Sequence, residues 1–399
     1  MNEQGTNEYS ADGSGAWHPT LHAESVVPVC APVQKDGPFL PELTEIDPLV
    51  RVPEARRDFN VGGAGVTVAV LDTGLRTTHV DFAGRVMPGR NLTGGDPADV
   101  TDRHGHGTHV AGIACAGRIH TGVAPNARVV PIKVLRDDGT GSFADIRDGL
   151  DWVLDHREAL GISAVCMAMC ASDNRVTDTD MPGDAIGALL QELSDADVAC
   201  CVSAGSEYYA HGGLQGMSYP AIFRQAISVG SVYDADEGPF RYRDGAKAFS
   251  TAPDRLTPFS QRLHHKLGGP CATSVFAPAS PVASTGISND TGESLQNGVS
   301  RATPVAAGLV ALLQSFCLRT TGRLPAVADL LRWLDRGAAV IYDGDDEHDN
   351  VGHSGLTYPR ASAGGSLLAC ARELAMRELT AAEQAGTRTA HREPVMSAR

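Results

Sequence analysis

The chain is 399 residues long, enough for one large domain or two ordinary ones. Its formal net charge of −15, from 33 Lys and Arg against 48 Asp and Glu, excludes a general nucleic-acid binder, which needs a basic face against phosphates. Hydrophobic residues make up 42%, yet no uninterrupted apolar run of about 18 residues occurs, so a soluble globular chain with no membrane insertion is expected.

Residues 1–46 read as a polar N-terminal tail, Gly/Pro-interrupted and acidic at Glu3, Glu8 and Asp12. The tail lacks a basic segment followed by an apolar one, so no secretory signal is expected and a cytoplasmic location follows. A mature secreted form supplied without its signal is compatible with the same residues. The nine cysteines are odd in number, irregularly spaced and mostly set in apolar runs, which predicts buried thiols and no disulfide network.

Residues 47–369 alternate two patterns. Short apolar runs, Val66–Leu71, Val129–Leu135, Ala164–Met169, Val198–Val202 and Ala226–Val232, read as strands buried on both faces. Between and after them lie helical patterns. Phe143–Leu160 puts Ile146, Leu150, Val153 and Leu154 on one stripe, with Ser142 and Asp145 as a capping pair. Ala185–Leu193 and Val305–Phe316 follow. This alternation predicts a three-layer α/β domain, a mostly parallel sheet with helices on both faces. Residues 370–399 form a separate C-terminal segment: Leu367–Ala385 is helix-prone, and Gly386–Arg399 is polar and expected to be disordered.

Three segments carry chemistry. Val68-Ala69-Val70-Leu71-Asp72-Thr73-Gly74 sets a carboxylate at a strand end, at the carboxyl edge where α/β sites form. His104-Gly105-His106-Gly107-Thr108-His109-Val110-Ala111-Gly112 puts an imidazole at the start of a small-residue helix. Gly298-Val299-Ser300-Arg301-Ala302-Thr303-Pro304 puts a hydroxyl at the start of another, near a positive helix end. A serine becomes nucleophilic when a histidine removes its proton and a buried carboxylate fixes the histidine's tautomer. The three close histidines lack a metal-ligand pattern, and no zinc site is expected.

The order Asp, His, Ser in these segments resembles that of the subtilisin-like serine proteases, the subtilases. Gly122-Val123-Ala124-Pro125, Pro131-Ile132-Lys133-Val134-Leu135 and Ser218-Tyr219-Pro220-Ala221 fit the same resemblance. It implies a subtilisin-like fold and a serine endopeptidase with Ser300 as nucleophile, His106 as general base and acid, and Asp72 orienting the base. It also implies a peptide or protein substrate, bound along Ala168, Met169, Cys170 and Ala171 and beside Ala204 and Gly205, and no required cofactor. The Ser300 N–H and the residue after Gly205 would hold the oxyanion. A cis bond is expected at Tyr219–Pro220.

The chain departs from the family pattern at instructive places. Ser206 stands where an Asn amide normally donates to the oxyanion. Val299 replaces Thr, and Arg301 replaces Met, a cation that either adds positive charge to the site or points to solvent. Cys170 and Ala171 replace glycines at the substrate wall, implying a narrower pocket. These changes imply either a slow or specialised endopeptidase, suited to maturing a particular peptide, or an impaired scaffold that binds an extended partner without cutting it. Asp81 matches a family calcium position, but the loop that completes that site is shortened to Arg118-Ile119-His120-Thr121. Asp343 and Asp345, in an acidic run, are further weak calcium candidates. Pro38–Leu43 is a candidate blocking segment within the tail.

Overall fold

The computed structural model describes residues 46–344 and 348–390, and the backbone of residues 21–22. In β1 (Thr67–Asp72), Val68 and Val70 enter one apolar cluster, Ala69 and Leu71 the other, and all four are buried. That is the signature of a strand between two helical layers. The same two-sided burial recurs in β3 (Arg128–Lys133), β4 (Ile162–Met167), β5 (Ala199–Ser203) and β6 (Ile227–Val232). With the short β2 (Arg90–Asn91), and with β7 (Val275–Pro278), β8 (Ala339–Asp343) and β9 (Leu356–Arg360), they form a nine-stranded sheet of order β8-β9-β7-β6-β5-β4-β1-β3-β2. All neighbours are parallel except the edge pair β8–β9.

One face carries α1 (His106–Cys115), α4 (Ala302–Thr321), α5 (Val327–Gly337) and the start of α6 (Ala363–Ala390). The other carries α2 (Phe143–Leu160) and α3 (Ala185–Asp195). The expected three-layer α/β architecture is therefore present. The α2 bounds match the expectation, and Ser142 Oγ accepts the Asp145 N–H at 3.1 Å. Tyr219–Pro220 is cis, as is Ser280–Pro281.

Three expectations change. The helix expected at Val305–Phe316 spans Ala302–Thr321 behind a 3-10 turn, Val299–Arg301, so Ser300 sits in the turn rather than in the helix proper. Together, Val299–Thr321 is long and apolar enough to cross a membrane, although no unbroken apolar run marks it; it is nearly all buried as the central core helix. The division at 369/370 falls inside α6, because Leu367, Cys370 and Leu374 continue one stripe against the core. The rest of the N-terminal tail, the Pro38–Leu43 segment and the C-terminal residues after Ala390 lie outside the described residues.

Candidate active site

Asp72 ends β1, Met167 ends β4 and Ser203 ends β5, three neighbouring strands whose carboxyl ends meet at one edge. Asp72 is fully buried. Its Oδ1 and Oδ2 lie 2.7 and 2.9 Å from His106 Nδ1, and Oδ1 accepts the Thr73 N–H at 2.7 Å. Burial pushes the Asp72 pKa up, but the His106 charge and hydrogen bond, the Thr73 N–H and the Arg301 cation outweigh it and hold the carboxyl below its ordinary value. An ionised acceptor at Nδ1 puts the ring proton there and leaves Nε2 as the basic nitrogen. Among the described residues, Nε2 makes no hydrogen bond.

His106 opens α1, and its position depends on close packing beneath. A Cβ on Gly107 would overlap the Gly74 carbonyl and crowd Asp72 Cβ, so only glycine lets α1 sit this near the strand end. Asp102, unremarked in the sequence, locks the approach. Its carboxylate accepts from Thr73 Oγ1 at 2.8 Å, from the N–H groups of His104, Gly105 and Thr108 at 3.0, 2.8 and 2.8 Å, and from Thr108 Oγ1 at 2.7 Å. Thr73 Oγ1 in turn accepts the Gly107 N–H at 2.9 Å. An Asp just ahead of a helix start is a capping signal that could have been read.

Ser300, buried, is held in the turn entered through Gly298, where Arg301 N donates to Gly298 O at 2.9 Å. This turn packs against α1. Arg301 points inward and is 1% exposed, so the solvent-facing alternative is set aside. Its Nη1 lies 3.4 Å from His109 Nδ1, and His109 Nε2 donates to Val282 O at 3.0 Å. Burial and the Arg301 charge drive the His109 pKa well down, so its Nδ1 is a neutral acceptor for the guanidinium.

Ala204, Gly205 and Ser206 follow β5. Ala204 O accepts the Ser218 N–H at 2.9 Å, and Gly205 O accepts the Gln261 N–H at 2.8 Å. Gly205 has φ +116°, and a Cβ there would overlap Gln261 Oε1 and Ser218 Oγ. The half-buried Ser206 therefore leaves a fixed corner. Ala168, Met169, Cys170 and Ala171 follow β4 and are buried, with Ala171 N donating to Tyr219 O at 2.8 Å. Backbone pairing already occurs on this edge: Leu21 and His22 form a two-residue antiparallel strand opposite Ala171 and Cys170.

Two of the three calcium candidates, Asp81 and Asp343, do not fit a hard cation, which takes about six to eight oxygen ligands. Asp81 Oδ1 accepts N–H bonds from Arg118, Ile119 and His120 at 3.0, 2.6 and 3.1 Å. Its Oδ2 lies 2.6 Å from His120 Nδ1, and His120 Nε2 lies 3.0 Å from Glu293 Oε2. The shortened loop thus closes on Asp81 with N–H donors and an imidazole. Asp343 is buried against Arg262, with Oδ2 at 3.1 Å from Nε, and it accepts the Ser354 N–H at 2.8 Å. Asp345 lies outside the described residues.

The His120 clamp gives a stability expectation. Burial lowers the His120 pKa, but the bonds to Asp81 and Glu293 outweigh it and raise the value; Asp81 is lowered, its bonds to His120 and the loop outweighing burial. His120 therefore contributes fully below the ordinary histidine pKa of about 6.5 and loses its contribution as pH rises through the raised value. Asp81 contributes above about 3.8 and loses it as pH falls through the lowered value. Thermal unfolding should show His120→Gln destabilised by about 1.5–3 kcal/mol near pH 6, with the gap narrowing toward about pH 9. An equal gap at both pH values would sink this account.

The Subtilase family profile matches residues 63–323, and the chain belongs to the subtilase family. Among similar proteins are the subtilase-type proteinase isp6 of Schizosaccharomyces pombe, at 33% identity over 249 residues, covering 62% of this chain and 45% of that protein. The subtilisin-like serine protease Pen c 2 of Penicillium citrinum is 30% identical over 256 residues, covering 63% and 48%. Alkaline serine exoprotease A of Vibrio alginolyticus is 32% identical over 254 residues, covering 63% and 39%. The matched part is thus less than half the length of each of these relatives. A solved structure of a cold adapted subtilisin-like serine proteinase matches with TM-score 0.56 and 25% identity, over 76% of this chain and 90% of that one.

Proposed function

We propose that the chain is a serine endopeptidase that cleaves peptide bonds through an acyl-enzyme. The observation that carries this reading is the buried Asp72–His106 pair at 2.7 Å, with His106 opening a helix packed against the turn of Ser300. His106 Nε2 takes the Ser300 Oγ proton as Oγ attacks the carbonyl carbon of the substrate. The same nitrogen then protonates the leaving amine, and water repeats the sequence to release the acid. Negative charge on the carbonyl oxygen is met by the Ser300 N–H at the helix start, with the Ser206 hydroxyl as a second donor. An extended substrate pairs along Ala168–Ala171, beside Ala204 and Gly205.

A fluorophosphonate probe should label the wild type at Ser300 and leave Ser300→Ala unlabelled. A second reading, a family scaffold that binds a strand without cutting it, is favoured by the Leu21–His22 pairing and by Ser206 in place of an amide donor. Failure of the folded wild type to label would favour that second reading.

A further inference from the structure

Away from the site, α4 and α6 bring two cysteines together. Cys317 Sγ and Cys370 Sγ, 53 positions apart in sequence, lie 3.6 Å apart with both side chains buried. The described cysteines are all buried and no disulfide joins them to one another. Cys317 also lies on the wall of a cleft of about 360 Å³, lined further by Leu324, Pro325, Trp333, Leu374 and Arg377. Its rim carries exposed Thr321, Arg323 and Arg377, so the cleft that Cys317 lines opens to solvent.

We propose that Cys317 and Cys370 are a disulfide-forming pair, oxidised in the folded protein by a low-molecular-weight disulfide entering this cleft. The sulfurs need close by little more than 1.5 Å to reach a bond length of about 2.05 Å. Cys317 is the one of the two that lines the cleft, so it attacks first, as its thiolate after losing its proton to water; the hydrogen bond with Cys370 lowers its pKa against burial and Asp329, with help from Arg377. Cys317 Sγ attacks one sulfur of the small disulfide, whose S–S bond breaks and whose other half leaves as thiolate and takes up a proton. Cys370 Sγ, losing its proton to water, then attacks the Cys317 sulfur of the mixed disulfide and expels the second small thiol. Two protein thiols are oxidised by two electrons, and one small disulfide is reduced to two thiols.

The bridge ties the C-terminal helix to the central helix whose leading turn carries Ser300. Because it closes a loop of 53 positions, the midpoint of thermal unfolding should rise by about 5 °C. The test incubates the folded full chain with glutathione disulfide, blocks remaining thiols with an alkylating agent and maps peptides without reduction. The expected result is a Cys317–Cys370 linked peptide, reversed by dithiothreitol, with the rise in midpoint. Cys370→Ser should stop at a glutathione adduct on Cys317, whereas Cys317→Ser should form no adduct on Cys370. Both thiols found alkylated in the oxidised wild type, or a bridge formed by other cysteines instead, would overturn the proposal, and this wild-type measurement decides even where a variant folds poorly.

Discussion

Replacing Ser300 with Ala should lower kcat on a peptide substrate by about 10⁶, close to 8 kcal/mol of transition-state stabilisation, the scale seen for the nucleophile of subtilisin. The hydroxyl is the only atom that can form the acyl bond in the proposed mechanism. The substitution removes a single oxygen from a buried turn whose shape is set by Gly298 and the Arg301 N–H, so the fold should survive. Substrate affinity should change little, since pairing along Ala168–Ala171 uses main-chain groups. A folded Ser300→Ala variant that still turns over substrate at more than about a hundredth of the wild-type rate would place the chemistry elsewhere.

The second large effect runs the other way. Ser206→Asn should raise kcat by about 10-fold at least, and at most by the 10²–10³ that the amide donor contributes in subtilisin, with KM nearly constant. Charge forms on the carbonyl oxygen only as Oγ attacks, so a donor aimed there acts in the transition state and hardly in the ground state. The corner that presents residue 206 is rigid, held by Ser218 and Gln261 on Ala204 and Gly205. A longer side chain carrying an amide would therefore start from a fixed backbone, whereas the serine hydroxyl is short and rotates. Unchanged turnover in a folded variant would mean that another group already meets the charge, and the buried Arg301, which adds to the field holding Asp72 ionised, would be the first to test.

Much of this was legible in the residues because the relevant patterns are local. Asp72, His106 and Ser300 each sit beside glycines and small residues that force close packing, and the apolar runs of β1 and β3–β6 need no long-range knowledge to be seen. Strand β7 escaped because it is only four residues long, and β8 and β9 because they are an antiparallel edge pair in which the fully buried residues merely alternate, so no continuous buried run marks them. Asp102 was half readable: four of its five hydrogen bonds are local, a helix-start signal, and only the one from Thr73 Oγ1 comes from afar. The Asp81 arrangement was only half readable: the shortened loop was visible, but not that His120 would turn inward to Asp81 and Glu293. Likewise, nothing adjacent to Arg301 in sequence says that it is buried; its partner His109 comes from α1, far back in the chain.

The strand pairing of Leu21–His22 with Cys170–Ala171 bears on how the proposed substrate edge is shared. A competitor joined to the same chain does not dilute: its local concentration is fixed by the tether, whatever the amount of protein in solution. Its hold is also indifferent to side-chain identity, since two main chains exchange the same N–H and C=O groups regardless of the residues that carry them. A peptide bound along the proposed substrate edge would thus meet an incumbent whose advantage is proximity.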